Sequence, residues 1–194
     1  MRRLPKKYDV VFLTTYYGSP AYKKQMDFRQ EIIQRLRESP RLHCRAGFVS
    51  SGSTALLGSS LIEKPMPLAK YLELLASGRV GVYVRGLKDC VSFKLTQMLS
   101  LALPIVGQSL NSPGHLLREA TWLDNCLRFE TPDLIVSEVE KLIRQPARQE
   151  ELSNANQRLF FDRMCPKAVV SKILDDLISV NRTNAPHILG THSE

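Results

Sequence analysis

The amino-acid sequence predicts an α/β fold. The expected form is a single Rossmann-like, doubly wound parallel sheet of about five strands, with helices on both faces and a helical C-terminal segment. Three observations carry this. Apolar β-forming runs such as Val10-Val11-Phe12-Leu13 and Val80 to Val84 are continuous rather than alternating, as in strands covered on both faces. Stretches with helical apolar spacing separate these runs. Strands and helices alternating at this interval make βαβ units, whose right-handed crossovers place helices on both sides of a parallel sheet.

The elements follow in order. Tyr8 to Leu13 reads as the first buried strand, and Thr14 to Pro20 as a loop with turn chemistry at Gly18-Ser19-Pro20. Phe28, Ile32, Ile33 and Leu36 predict a helix from Asp27, as N-cap, to Glu38. A second strand is expected over Leu42 to Val49, and the Ser/Gly-rich stretch Ser50 to Ser60 is expected to be a loop. Pro67 opens a helix with Leu68, Tyr71, Leu72 and Leu75 on one face, stopped by Gly78. Val80 to Val84 is the third strand, Phe93 to Ala102 a helix, Pro104-Ile105-Val106 the start of the fourth strand, and Cys126 to Phe129 the fifth. Helices are expected over Pro132–Arg144, Gln149–Met164 and Lys167–Ser179. Residues 1–180 then form one domain and 181–194 a flexible tail.

At 194 residues and 43% hydrophobic, the chain is long enough for one full core and too short for two ordinary domains. Its net charge of +8 favours anionic partners: phosphorylated ligands, an anionic membrane face touched peripherally, or nucleic acid. Zinc-finger spacings and stacking-aromatic RNA motifs are absent from the sequence, so no specific nucleic-acid binding is expected. Cys44, Cys90, Cys126 and Cys165 form no CxxC pair and read as reduced, buried thiols of a cytoplasmic protein. His43, His115, His187 and His192 lack metal-ligand spacing, so no metal is expected. Trp122 reads as a packing residue.

In an open parallel sheet, ligands sit beyond the carboxyl ends of the strands. Two loops leave strand ends there and enter helices. The first carries Gly18, Lys23 and Lys24, a candidate phosphate loop. The second is Arg85-Gly86-Leu87-Lys88-Asp89, which feeds the helix holding Ser92, Lys94 and Gln97. Helix N-termini favour phosphate, and Gly86 allows close backbone approach to a ligand. Lys94 and Gln97, three apart, share a helix face, with Lys94 suited to a diphosphate and Gln97 to sugar hydroxyls. Dinucleotide-binding, P-loop and nucleophile-elbow glycine motifs are all absent from the sequence.

The run from Ser92 to Val106, "SFKLTQMLSLALPIV", resembles a pattern in GT-B glycosyltransferases, S-x-R/K-x-x-E-x-L-x-x-G-x-P-V-V. The pattern lies in their C-terminal, donor-binding half, with the exostosin-like and group 1 members nearest. "KYDVVFLTT", "FRQEIIQRL" and "PLAKYLELLASGRVGVYV" extend the likeness over roughly residues 7 to 180. The resemblance implies a site for a nucleotide diphosphate sugar, with no cofactor beyond that donor. It implies Lys94 near the diphosphate, and two acids separated by seven residues, here Asp89 and Gln97, the second replaced by an amide. The family prefers a glycine before the proline, where Leu103 stands. Such enzymes need a second, acceptor-binding domain, so no catalytic residue is named. The alternative is a non-catalytic Rossmann-like module for nucleotide binding or protein interaction.

Overall fold

The structure is a computed structural model and describes residues 5–49, 61–110 and 127–183. The elements are β1 (Tyr8–Thr15), α1 (Lys23–Glu38), β2 (Cys44–Val49), β3 (Ile62–Glu63), α2 (Leu68–Ala76), β4 (Gly78–Tyr83), α3 (Phe93–Ser100), β5 (Ile105–Gln108), β6 (Leu127–Phe129), α4 (Pro132–Ile143), α5 (Pro146–Leu159) and α6 (Pro166–Thr183). They form one six-stranded sheet in the order β3-β2-β1-β4-β5-β6, and every neighbouring pair is parallel. This is the doubly wound α/β layer sandwich that the sequence predicts. The extra strand is β3, whose two residues are too few for any periodicity to register.

Both faces of the sheet are dry. Val10, Phe12, Val80, Val82 and Val106 pack against Ile32, Ile33 and Leu36 of α1 and Ile135, Val139 and Leu142 of α4. Val11, Leu13, Tyr83 and Ile105 face the other way, against Leu75 of α2, Leu95, Met98 and Leu99 of α3, and Leu159 of α5. Successive strand residues therefore serve opposite cores, which is why the runs are continuously apolar. At Gly107 a Cβ would stand 2.3 Å from the Tyr83 carbonyl oxygen, so glycine is what lets β5 close on β4.

Several expected boundaries move, each for a local reason. α1 begins at Lys23 after a 3₁₀ turn over Pro20–Tyr22, and Asp27 is not its N-cap. Asp27 lies a turn inside and pairs with Lys23 at 2.6 Å. Gly78 does not stop α2, which ends at Ala76; it is the first residue of β4. α5 starts at Pro146, a residue preorganised for a first helical turn, and gives way to a π-helical turn at Phe160–Met164. α6 runs from Pro166 through Thr183, past the helix end expected at Ser179. The loop Ser50–Ser60, Trp122, Cys126 and the tail after Thr183 lie outside the described residues. The thiols are not uniformly buried: Cys90 is exposed, and Cys44 and Cys165 are partly so. Cys90 sits in the polar loop after β4 rather than in an apolar element.

The α3–β5 corner is a left-handed helix stop. Ala102 N–H donates to Leu99 O at 2.9 Å and Leu103 N–H to Met98 O at 3.0 Å, with Ala102 at φ 53°. From α5, Ser153 Oγ donates to Ala102 O at 2.6 Å and the buried Asn156 Nδ2 to Leu103 O at 2.7 Å. The position that wants glycine is therefore Ala102, while Leu103 is a fully buried core residue. Ala102→Gly is expected to stabilise the chain by about 1 kcal/mol, read from a denaturant midpoint, because it removes a Cβ from the left-handed region. A lower midpoint would mean that the glycine's gain in unfolded-chain entropy outweighs that relief.

Candidate functional site

The strand order reverses between β1 and β4, which lie side by side while their crossovers run to opposite faces. At such a switch point the loops leaving the strands diverge and open a crevice. Here helices from both faces send a cation to the strand ends.

From one face comes Arg29 of α1. It lies on the buried stripe with Met26, Ile32, Ile33 and Leu36. Its Nη1 donates to Thr15 O at 3.1 Å and its Nη2 to Arg85 O at 2.8 Å, so one guanidinium ties the ends of β1 and β4 together. Gln25 Nε2 joins at Arg85 O, at 2.9 Å. Arg29 Nε is buried without a hydrogen-bond partner, and burial lowers the pKa of the guanidinium.

From the other face comes Lys94 of α3. Its ammonium donates to Leu13 O of β1 and lies 5.6 Å from the centre of the Tyr71 ring. Burial, and next the Arg29 charge, push its pKa down to about 7. Tyr71 offers no counter-charge, since burial pushes its own pKa up to about 12. Among the described residues, neither Lys94 nor Arg29 has a carboxylate at ion-pair distance.

Arg85, the residue that leaves β4, is compensated. It pairs with Glu130 at 2.9 Å and Asp89 at 3.6 Å and donates to Ser109 O, while its N–H donates to Gln108 Oε1 at 3.1 Å.

The residues singled out in the sequence fall around this point in different ways. Gly86 follows β4 with φ −70°, so it is not there for a left-handed backbone. The space its Cβ would fill is held by Cys90 Sγ, at 2.5 Å, as the loop folds back with Gly86 N–H on Cys90 O at 2.7 Å. Lys88 and Asp89 are both left-handed, at φ 55° and 58°, a local strain of the kind that gathers at ligand-binding loops. Asp89 is exposed, its carboxylate toward Arg85. Ser92 caps α3, its Oγ accepting from Lys94 N–H at 3.4 Å, and its own N–H donates to Tyr83 Oη at 3.2 Å. Gln97 lies a turn further along α3 and is half-buried. Gly18 is in the exposed loop after β1, but Lys23 and Lys24 belong to the first turn of α1, with Lys23 engaged by Asp27.

Sequence reasoning missed Arg29, and it placed Arg85 at the head of the second candidate loop without giving it a role. The signal for Arg29 was available: an arginine three residues from both Met26 and Ile32 interrupts an otherwise apolar helix face. Among the described residues there is no group of three or more His, Cys, Asp or Glu side chains placed to hold a metal ion, and no helix is long and apolar enough to cross a membrane.

No protein-family model matches the chain, and no curated protein matches it in sequence. Solved structures match in fold. T4 phage BGT, in complex with UDP and Mn2+, superposes with a TM-score of 0.58 at 9% identity, over 91% of this chain and 50% of that one. WaaG, a glycosyltransferase involved in lipopolysaccharide biosynthesis, gives 0.57 at 15% identity, over 88% and 47%. The pneumococcal O-GlcNAc transferase GtfA, in complex with UDP and GlcNAc, gives 0.52 at 14%, over 92% and 36%. This chain spans about half, or less, of the length of these structures. Nothing in the likenesses singles out an exostosin-like subgroup. What is shared is architecture: the sheet and helices described above are also found within larger glycosyltransferases.

Proposed function

We propose that this chain is a glycosyltransferase-type donor domain. It holds a nucleotide diphosphate sugar at the β1–β4 switch point and supports glycosyl transfer when an acceptor-binding domain completes the cleft. The observation that carries this reading is the pair of inward cations, Lys94 and Arg29, which meet strand carbonyls and a neutral ring but no carboxylate among the described residues. Uncompensated buried charge is costly, and an anionic ligand at the mouth of the crevice offsets that cost. The ligand-bearing neighbours favour a nucleoside diphosphate as that anion.

In this reading the ammonium of Lys94 turns from Leu13 O toward a diphosphate oxygen. The positive end of the α3 dipole adds partial positive charge there. Gln97 hydrogen-bonds sugar or ribose hydroxyls without the charge assistance an acid would bring. The contribution to catalysis is orientation of the donor and stabilisation of the leaving diphosphate. A non-catalytic nucleotide-binding module is the second reading. It is favoured by the amide at position 97, where the donor-site pattern has an acid.

The test is calorimetric titration with UDP-, GDP-, ADP- and CDP-linked sugars at two pH values. One nucleotide should bind saturably. Its affinity should fall as pH rises above about 7, because a protonated Lys94 must then be formed on binding; below that pH the group is already charged. Proton uptake, seen by comparing buffers of different ionisation enthalpy, should appear above that pH. A folded chain that binds none of these ligands would sink the donor-site reading.

A further inference from the structure

Lys94 does not reach the switch point alone. Tyr71 stands on α2, one turn before Leu75, and packs against the core that holds Leu13, Leu75, Leu95 and Met98. The Lys94 ammonium lies over its ring, 5.6 Å from the centroid. A cation within about 6 Å of an aromatic face is attracted by the ring quadrupole, and more strongly where water is excluded. Water is largely excluded here, since burial is the largest cause of the pKa shift of both side chains. The phenol stays neutral at physiological pH, so what Tyr71 presents to the ammonium is a ring face.

We propose that Tyr71 is a positioning residue for Lys94: its ring holds the ammonium at the end of β1 and favours the charged form, both in the empty crevice and when the ammonium turns to an anion. This rests on the donor-site reading for the identity of the anion, and on the Lys94–Tyr71 contact for the rest.

The surroundings of the ammonium leave the ring this role. From β1 it meets the Leu13 carbonyl oxygen. From α1 it feels Arg29, whose like charge works against protonation. From β4 the titratable side chain is Tyr83, whose hydroxyl accepts from Ser92 N–H at 3.2 Å. From the π-helical turn the residues packed in this core are Phe160 and Met164, both uncharged. Leu13 O and the Tyr71 ring are therefore what offsets the loss of water. The carbonyl has to be given up when an anion arrives, because a hydrogen bond to it fixes one direction for the N–H. The ring can be kept, because a cation over a π face is attracted over a range of directions.

The ionisation of Lys94 tests this directly. In the full chain carrying isotope-labelled lysine, the Lys94 signal is the one that Lys94→Met removes, and its chemical shift against pH gives a midpoint. Tyr71→Leu keeps an apolar side chain and a good helix former on α2, and should lower that midpoint by about 0.5–1.5 units, the range of a desolvated cation–π contact. Tyr71→Phe should leave the midpoint in place, because the ring is kept. Fluorinated phenylalanines at position 71 keep the shape while withdrawing negative charge from the ring face, so the midpoint should fall stepwise from mono- to trifluoro side chains. These near-isosteric variants carry the test if Tyr71→Leu loosens the fold. In calorimetric titration with the nucleotide sugar that binds best, Tyr71→Leu should weaken binding severalfold at about pH 8 and hardly at all at about pH 5, where Lys94 is charged in either chain. A midpoint that Tyr71→Leu and the fluorinated rings leave unmoved overturns the proposal and makes Tyr71 a packing residue. A midpoint that follows the ring in a chain that binds no nucleotide upholds it and removes the donor-site reading instead.

Discussion

Lys94→Met is expected to melt at a higher temperature than the parent chain at pH 6 while losing nucleotide binding. The two effects have one cause. Lys94 is a buried ammonium with a backbone carbonyl and a ring for partners, and its pKa falls from 10.5 to about 7. Between those values the unfolded chain holds a proton that the folded chain does not, so stability rises with pH across that window. Below about pH 7 the folded chain carries the buried charge and the penalty is complete. Methionine keeps the unbranched apolar stem, ends one atom short of the ammonium and removes the charge. Its gain should be about 1–3 kcal/mol at pH 6, reduced by the lost bond to Leu13 O, and should shrink toward pH 10. Calorimetric melts at the two pH values measure it. Loss of the diphosphate partner should weaken nucleotide binding by about a hundredfold, typical of a charge-assisted contact in a desolvated site. A variant less stable than the parent at both pH values would instead identify Lys94 as a tie between α3 and β1.

Arg29→Leu is expected to do the opposite to stability. The guanidinium satisfies Thr15 O and Arg85 O at the ends of adjacent strands, and leucine leaves both without that donor. The cost should be about 2–4 kcal/mol, read as a lower urea midpoint with an unchanged slope. Removing this charge should also raise the Lys94 pKa toward its ordinary value, though not to it, because burial is the larger cause of the shift and remains. The window in which nucleotide binding takes up a proton should therefore move to higher pH. An unchanged urea midpoint would show that water or Gln25 satisfies the two carbonyls without Arg29.

The alternation of strand and helix was legible because each buried strand must be apolar on both faces. Val10 to Leu13 reads as one run for this reason, although Val10 and Phe12 face α1 and α4 while Val11 and Leu13 face α2, α3 and α5. Prolines marked the starts of α2, at Pro67, and α4, at Pro132, while α1 and α3 declared themselves through apolar spacing; the proline that opens α5, Pro146, was passed over. β3 was not legible, because two residues carry no period. The start of α1 was misplaced because Lys23 to Gln25 carry no apolar signal, and the 3₁₀ turn before them extends the helix backwards.

The site divides along the same line. Lys94 and Gln97 stood out through local spacing and through the likeness of "SFKLTQMLSLALPIV" to a donor-site pattern, both properties of contiguous residues. Arg29 did not, because nothing local ties an α1 arginine to the Arg85 backbone 56 residues away, beyond the end of β4. The sequence by itself determined the layers of the fold and the loops that leave the strand ends, and it singled out Lys94 as a candidate. Only the tertiary structure decided that α1 and α3, on opposite faces of the sheet, bring two uncompensated cations to the β1–β4 switch point. Strand order sets which helices meet there, and burial then turns Lys94 from a solvated side chain into a group poised near neutral pH.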